Sequence, residues 1–432
     1  MAPPSMSTLP PDFIAEILTE LPVKSLVRFM CVSKSFNALI NDPYFIKKHL
    51  KRSIETNRER TLIVEDCKRL HNADPLFLKF EDKKRRPPDY YSVRFHEDGR
   101  FDRAVQIFQP LRHERAKGSV VYSCNGLVCL YNLESEITIW NPLIRKYKNL
   151  PFEPIDVPSG FEKDGSYSVR NSPATWSQLA FGHDPVSDDY KVVKVSELCK
   201  GRLRSFEVKV YSLRANSWRR VKDKWPIKSS VIGSKPAFLN GALHWLAKMR
   251  RSLEMLVALD LATEKFQKYR TPFKYVFGVS EPDLVVLGGY LCVFMTESLK
   301  PHNITVWVMR KYGVESSWTL LYTIVCGPCG AVPRPFRYCK PLAFAKNGKK
   351  ILMQQDFDKL FWYDIKEDTC SKFEIVGMPD MFRTATCVGS LVLLDGDSVI
   401  DVDIEDGEPE DEVASEALGC LSTGDVIMVD YI

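Results

Sequence analysis

The chain lacks most of the features that mark secreted proteins, membrane proteins and common enzymes. Its N-terminus, MAPPSMSTLP, has no basic stretch leading into an apolar core, and no apolar run approaches the roughly eighteen residues of a membrane-spanning helix. Twelve cysteines in 432 residues are too sparse for a disulfide scaffold, so the expected setting is reducing, the cytoplasm or the nucleus. A net charge of +5 sets up no strong field of the kind that marks a nucleic-acid or membrane-surface binder. The seven histidines are scattered, and there is no HExxH, Walker loop, GxGxxG or GxSxG elbow. Cys326-Gly327-Pro328-Cys329 copies a redox spacing, but the two prolines in the following GAVPRPFRY block the helix that lowers a thiol pKa in redox folds. No second close pair and no nearby histidine completes a zinc site with Cys339. These residues name no catalytic group, no metal and no cofactor.

What is present begins with a dense apolar segment. Pro10 and Pro11 suit the first turn of a helix, and Ile14, Ile17, Leu18 and Leu21 follow at i, i+3, i+4 and i+7 until Pro22 ends the pattern. A second short helix is expected from Val23, carrying Leu26, Val27, Phe29 and Met30. A third is expected behind a Ser33 cap, with Phe36, Leu39 and Ile40 on one face, and a fourth after Pro43. So small a bundle covers its own interior poorly, and the second helix, VKSLVRFM, is apolar on more than one side. Part of this surface should meet something else.

The stretch LPPDFIAEILTELPVKSLVRFMCVSKSFNALINDPYF resembles the F-box of the large plant F-box family, matching residues across nearly forty positions. The resemblance implies docking on a Skp-type adaptor and, through it, on cullin and RING subunits of a ubiquitin ligase. It places Leu9, Pro10, Ile14, Ile17, Leu18, Leu21, Pro22, Ser25, Leu26 and Val32 at the adaptor. Phe36 stands where the family usually has Trp, which leaves an apolar anchor without the indole N–H.

The remainder reads as repeated β-structure. NGLVCLYN at 125–132 is echoed by NGALHWLA at 240–247, GGYLCVFM at 288–295, NGKKILMQ at 347–354 and GSLVLLDG at 389–396, each a glycine turn followed by a short apolar strand. Closing aromatics Trp218, Phe266, Trp318 and Phe373 recur at intervals of 48, 52 and 55 residues, a period near that of kelch-like blades. A fold of α+β multidomain class is therefore expected: a short-helix module, then an all-β propeller of about six blades. The divisions are a tail at 1–7, the F-box at 8–52, a linker with strands at 53–117 and the propeller at 118–432. Strands within 61–95 are candidates to close the ring with the C-terminal VIMVDYI. CNGLVCL, WNPLIRKYKNLP and FGHDPVSDDYKVVKV resemble the plant F-box-associated domain, whose group includes S-locus F-box-like proteins.

Together these readings imply a non-catalytic substrate receptor of a Skp–cullin–F-box ligase, with a protein target left unnamed: a pistil ribonuclease, an immune receptor or another. A propeller enzyme or scaffold with a small-molecule site, and an RNA-binding propeller using Lys83–Arg86, are the alternatives. The Lys83–Arg86 run also has the composition of a nuclear-import signal, although the flanking acids and prolines suit a solvated turn. The acidic stretch 401–416 reads as a solvated loop. The long connections 152–175 and 326–340 are the candidate target-binding loops, with Phe152, Phe161, Tyr167, Arg334, Phe336 and Arg337 as hot-spot residues.

Overall fold

The computed structural model describes residues 10–56, 59–67, 89–96, 98–108, 110, 120–131, 136–156, 174–200, 203–227, 235–248, 253–274, 282–296, 302–326, 339–345 and 348–394. Four helices come first: α1 (Pro11–Thr19), α2 (Val23–Met30), α3 (Lys34–Ile40) and α4 (Pro43–Thr56). Their ends follow local chemistry. Pro11 sits in the first turn of α1, Pro22 precedes α2 in an extended conformation, and the Ser33 side chain accepts the Phe36 N–H at the start of α3.

Helix α4 leads into β1 (Arg60–Asp66), which pairs with β2 (Tyr90–Phe95), itself paired with β3 (Val105–Ile107). Five complete four-stranded sheets follow. They are β4 (Val120–Cys124) to β7 (Lys146–Asn149), β8 (Ala174–Asp184) to β11 (Ser217–Arg220), β12 (Ala237–Leu239) to β15 (Phe266–Lys274), β16 (Asp283–Leu287) to β19 (Trp318–Cys326), and β20 (Cys339–Phe344) to β23 (Thr369–Lys372). The last strand among the described residues, β24 (Phe382–Val388), pairs with β1 over seven residues, from Arg60 opposite Val388 to Asp66 opposite Phe382. The sixth sheet is therefore composite, in the order β24-β1-β2-β3. The innermost strands β4, β8, β12, β16, β20 and β24 contact one another in a closed cycle, which makes a six-bladed propeller.

The strand that closes the ring is thus Phe382–Val388; the VIMVDYI segment expected in that role lies outside the described residues. A second difference concerns GSLVLLDG. Residues 389–394 form no strand but a strap crossing the first blade, with Leu391 and Leu394 buried. The other glycine repeats are inner hairpin turns. Asn125-Gly126, Asn240-Gly241 and Gly288-Gly289 all have positive φ, as a tight two-residue turn demands. Gly126 has a further reason: a Cβ there would lie 2.1 Å from Ser390 Cβ in the strap. Trp218, Phe266 and Trp318 lie on the outermost strands, and Phe373 directly follows one.

Each pair of neighbouring blades encloses its own apolar core, which explains why middle strands are buried on both faces. In Ile137–Asn141, Ile139 packs with Val192 and Tyr211 of the second blade, while Trp140 faces Ile63 and Tyr90 of the composite blade. Stacking blades in a ring removes from water the faces that a single blade would expose.

Candidate functional site

Strand direction sorts the connections into two rims. The ends of inner strands, the starts of second strands and the turns between third and fourth strands share one rim. Helix α4 enters the start of β1, so this near rim carries the helical module.

The module is seated by contacts from three blades. Leu18, Val23, Leu26, Met30, Ile40, Phe45 and Ile46 form a single cluster with Ile144, in the turn between β6 (Ile137–Asn141) and β7, and Leu391 of the strap, flanked by Leu143, Val392 and Leu393. Asn141 is fully buried; its amide donates to Ser390 O at 2.9 Å and Val392 O at 3.0 Å, and its Oδ1 accepts the Leu143 N–H at 3.1 Å. Glu59 joins helix to ring. Its carboxylate accepts the Val23 N–H at 3.2 and 3.3 Å at the start of α2, and its carbonyl accepts the Gly389 N–H at 2.8 Å. Burial raises the Glu59 pKa, against lowering by the Val23 N–H and by Arg94. Lys47 of α4 pairs with Asp188 of the second blade. Within the module, His49 Nε2 donates to Leu21 O at 3.0 Å, burial lowers its pKa, and Lys48–Glu16 and Arg52–Glu20 pairs tie α4 to α1.

This seat changes the reading of several expected adaptor residues. Leu26, 0% exposed, and Leu18 belong to the intramolecular core, so they do not present themselves to a partner. The apolar second side of α2 meets the propeller. Ile14, Leu21, Pro22, Ser25 and Phe36 are half-buried, with Phe36 edge-on to Phe29 at 5.6 Å, and Pro10 is exposed. Leu9 lies outside the described residues. The large apolar side chains that the module leaves in solvent are Phe13 (61%), Ile17 (53%), Val32 (68%), Tyr44 (75%) and, towards the end of α4, Ile54 (44%). Phe13 and Ile17 are one helical turn apart on α1 and so share a face. Phe13 and Tyr44 were missed at the sequence level; the i+4 spacing of Phe13 from Ile17 was the available signal for the first.

The opposite, far rim receives the starts of inner strands and the ends of fourth strands. The connections from Asn149 to Ala174 and from Cys326 to Cys339 both leave and re-enter there. Phe152 is described and 69% exposed; Phe161, Tyr167, Arg334, Phe336 and Arg337 lie outside the described residues, as do Lys83–Arg86 and 401–416. The base of the first connection is clamped to the second blade. Lys209 Nζ meets Glu153 Oε1 at 2.6 Å and Pro154 O at 2.8 Å, Lys194 Nζ donates to Glu153 O at 2.7 Å, and Trp218 Nε1 donates to Pro151 O at 2.9 Å. Lys194 and Lys209 are directly opposite on paired strands, a repulsive arrangement that the clamp neutralises.

His244 is buried, its Nδ1 donates to Ala237 O at 3.1 Å, its Nε2 meets Tyr312 OH at 2.9 Å, and burial pushes its pKa down to about 4, a structural arrangement. Among the described residues, no three His, Cys, Asp or Glu side chains are grouped to hold a metal ion.

Residues 6–48 match the F-box domain family, and residues 90–395 match the F-box associated beta propeller domain family. F-box protein CPR1 of Arabidopsis thaliana is 30% identical over 90% of this chain and 89% of its own length. An F-box/kelch-repeat protein of the same plant is 28% identical over 74% of this chain and 80% of its own. Among solved structures, a putative 6-phosphogluconolactonase from Bacteroides fragilis aligns with a TM-score of 0.37 at 10% identity, over 76% of this chain and 99% of that one.

Proposed function

Because this chain belongs to the F-box proteins that carry an F-box-associated β-propeller, we propose that it is a substrate-recognition subunit of a Skp–cullin–F-box ubiquitin ligase. In this reading it performs no bond chemistry itself and works in the cytoplasm or nucleus. The F-box anchors the chain, the propeller holds a protein target, and tethering raises the effective concentration of target lysines near a conjugating enzyme. The observation that carries the proposal is the division of labour in the apolar surface: one side of the F-box is consumed by the propeller, and Phe13, Ile17, Val32 and Tyr44 remain for a partner. The target is proposed to bind at the far rim, where an adaptor on the near rim leaves it access.

The test is co-purification of a Skp-type adaptor with the full chain. Ile17→Asp should abolish it, since burying an unpaired carboxylate in an apolar interface costs several kcal/mol, enough to dissolve a micromolar complex. Ile17 is exposed, so the melting temperature should stay unchanged. Undiminished adaptor on the variant would overturn the docking assignment.

A further inference from the structure

The exposed apolar surface of the F-box continues past the last residue of α1. The Lys48–Glu16 and Arg52–Glu20 pairs advance four residues along both helices, so α1 and α4 run parallel, side by side. One turn earlier the same register sets Tyr44 beside Asp12, next to Phe13, and both Tyr44 and Asp12 act on the charge of Lys48. Around α4, Phe45, Ile46, His49 and Ser53 face inward. Tyr44 lies on the opposite side, between Lys48, which reaches α1, and Lys47, which reaches Asp188 of the second blade. It therefore stands on the ridge between α1 and that blade.

Asp188 belongs to the near-rim turn between β8 and β9, and Val186 is the tip of that turn. At 81% exposure it is the most exposed large apolar side chain among the described residues, at a position where small polar residues are usual. The tip is rigidly built. Asp184 Oδ1 accepts the Val186 N–H at 2.9 Å, and Asp184 Oδ2 accepts the Ser187 hydroxyl at 2.6 Å and Lys191 Nζ at 2.8 Å. Lys191 is itself buried and donates to Leu261 O of the third blade at 2.6 Å. An apolar side chain held in solvent by a fixed turn loses little conformational freedom when a partner covers it.

Building on the receptor reading, we infer that the footprint of the Skp-type adaptor runs from the F-box across Tyr44 onto Val186 of the propeller. Continuity selects the adaptor as occupant. Ile17 and Phe13 are the F-box end of this line, Tyr44 joins them to the second blade, and Val186 is the one large apolar side chain exposed among the described residues of that blade. The line lies on the near rim, the side turned away from a far-rim target. The Lys47–Asp188 pair positions its two halves, fixing α4 against the turn that carries Val186. The adaptor then contacts the propeller as well as the F-box.

The test is the affinity of the full chain for a purified Skp-type adaptor, measured by calorimetry. Val186→Asp should weaken binding by about tenfold or more, with the melting temperature unchanged because the side chain is exposed. Val186→Ile keeps an apolar side chain and should bind within about twofold of wild type. Tyr44→Ser should weaken binding about fivefold or more. In a second measurement, p-benzoylphenylalanine in place of Val186 should crosslink to the adaptor on irradiation, which decides the matter even if Val186→Asp lowers the melting temperature. Wild-type affinity in Val186→Asp, equal losses in the Asp and Ile variants, or no crosslink to bound adaptor would overturn the inference. Failure of the wild-type chain to bind adaptor defeats the receptor reading. Binding abolished by Ile17→Asp but untouched by Val186→Asp defeats the propeller contact alone.

Discussion

Removing the Glu59 carboxylate tests whether the F-box is seated on the propeller or merely tethered to it. In Glu59→Ala the Val23 N–H, on a residue 1% exposed, loses both acceptor oxygens. A buried donor left unpaired costs about 1–3 kcal/mol, and losing a negative charge at a helix N-terminus costs about 0.3–1 kcal/mol more. Relief of the buried charge offsets some of this, because its raised pKa shows that burial outweighs the favourable contacts. The net expectation is about 2 kcal/mol, or about thirtyfold faster amide exchange through local opening of α2. Glu59→Gln keeps an acceptor without the charge and should cost less than about 1 kcal/mol. The sign of the pH effect follows from the same shift. A carboxyl raised in the folded state contributes stability below its unfolded pKa that is lost as pH rises through the folded value. The wild-type seam should therefore loosen as pH climbs through the carboxylate range, and Glu59→Gln should remove that dependence. Hydrogen exchange across α2 and the 389–394 strap reads both effects. Unchanged exchange in Glu59→Ala, or equal losses in the Ala and Gln variants, would refute the reasoning.

Leu26→Ala should destabilise the F-box by about 2–5 kcal/mol through a cavity in its shared core, read by exchange or proteolysis confined to residues 10–56. Its adaptor affinity should fall only through the unfolded fraction, in contrast to Ile17→Asp. Gly126→Ala should cost at least about 2 kcal/mol, since the new Cβ meets Ser390 Cβ at 2.1 Å and Val388 O at 2.8 Å on a backbone with φ of 82°. A melting temperature equal to wild type would show that the strap yields.

Much of this was legible because the signals are local. Prolines and the Ser33 cap bound the F-box helices, Asn-Gly pairs mark inner hairpins, and the aromatic at the fourth strand sets the blade period. What escaped depends on residues far apart in sequence. Periodicity marked Leu18 and Leu26 as apolar but could not say that Ile144 and Leu391 would cover them. GSLVLLDG has the composition of a strand, yet β24 already ends at Val388, and Asn141 takes two of the strap's carbonyls instead of a neighbouring strand. Lys235, Asp283, Lys340 and Arg383, whose charges act on one another across the ring, stand 48, 57 and 43 positions apart in the sequence. Only the ring brings them together.

The same topology couples the two ends of the molecule. The ring closes when Phe382–Val388 pairs with Arg60–Asp66, strands more than three hundred residues apart in sequence. Loop-closure entropy makes such a pairing late and slow compared with hairpins inside a blade. The strap that caps the F-box core directly follows that closing strand, and Glu59, which holds the start of α2, directly precedes its partner. The F-box therefore obtains its seat only when the propeller has closed. Its exposed apolar residues are then carried in a fixed relation to the ring, so that in the proposed receptor an adaptor and a far-rim target would be held at a set separation, by the closing blade itself rather than by a flexible leash.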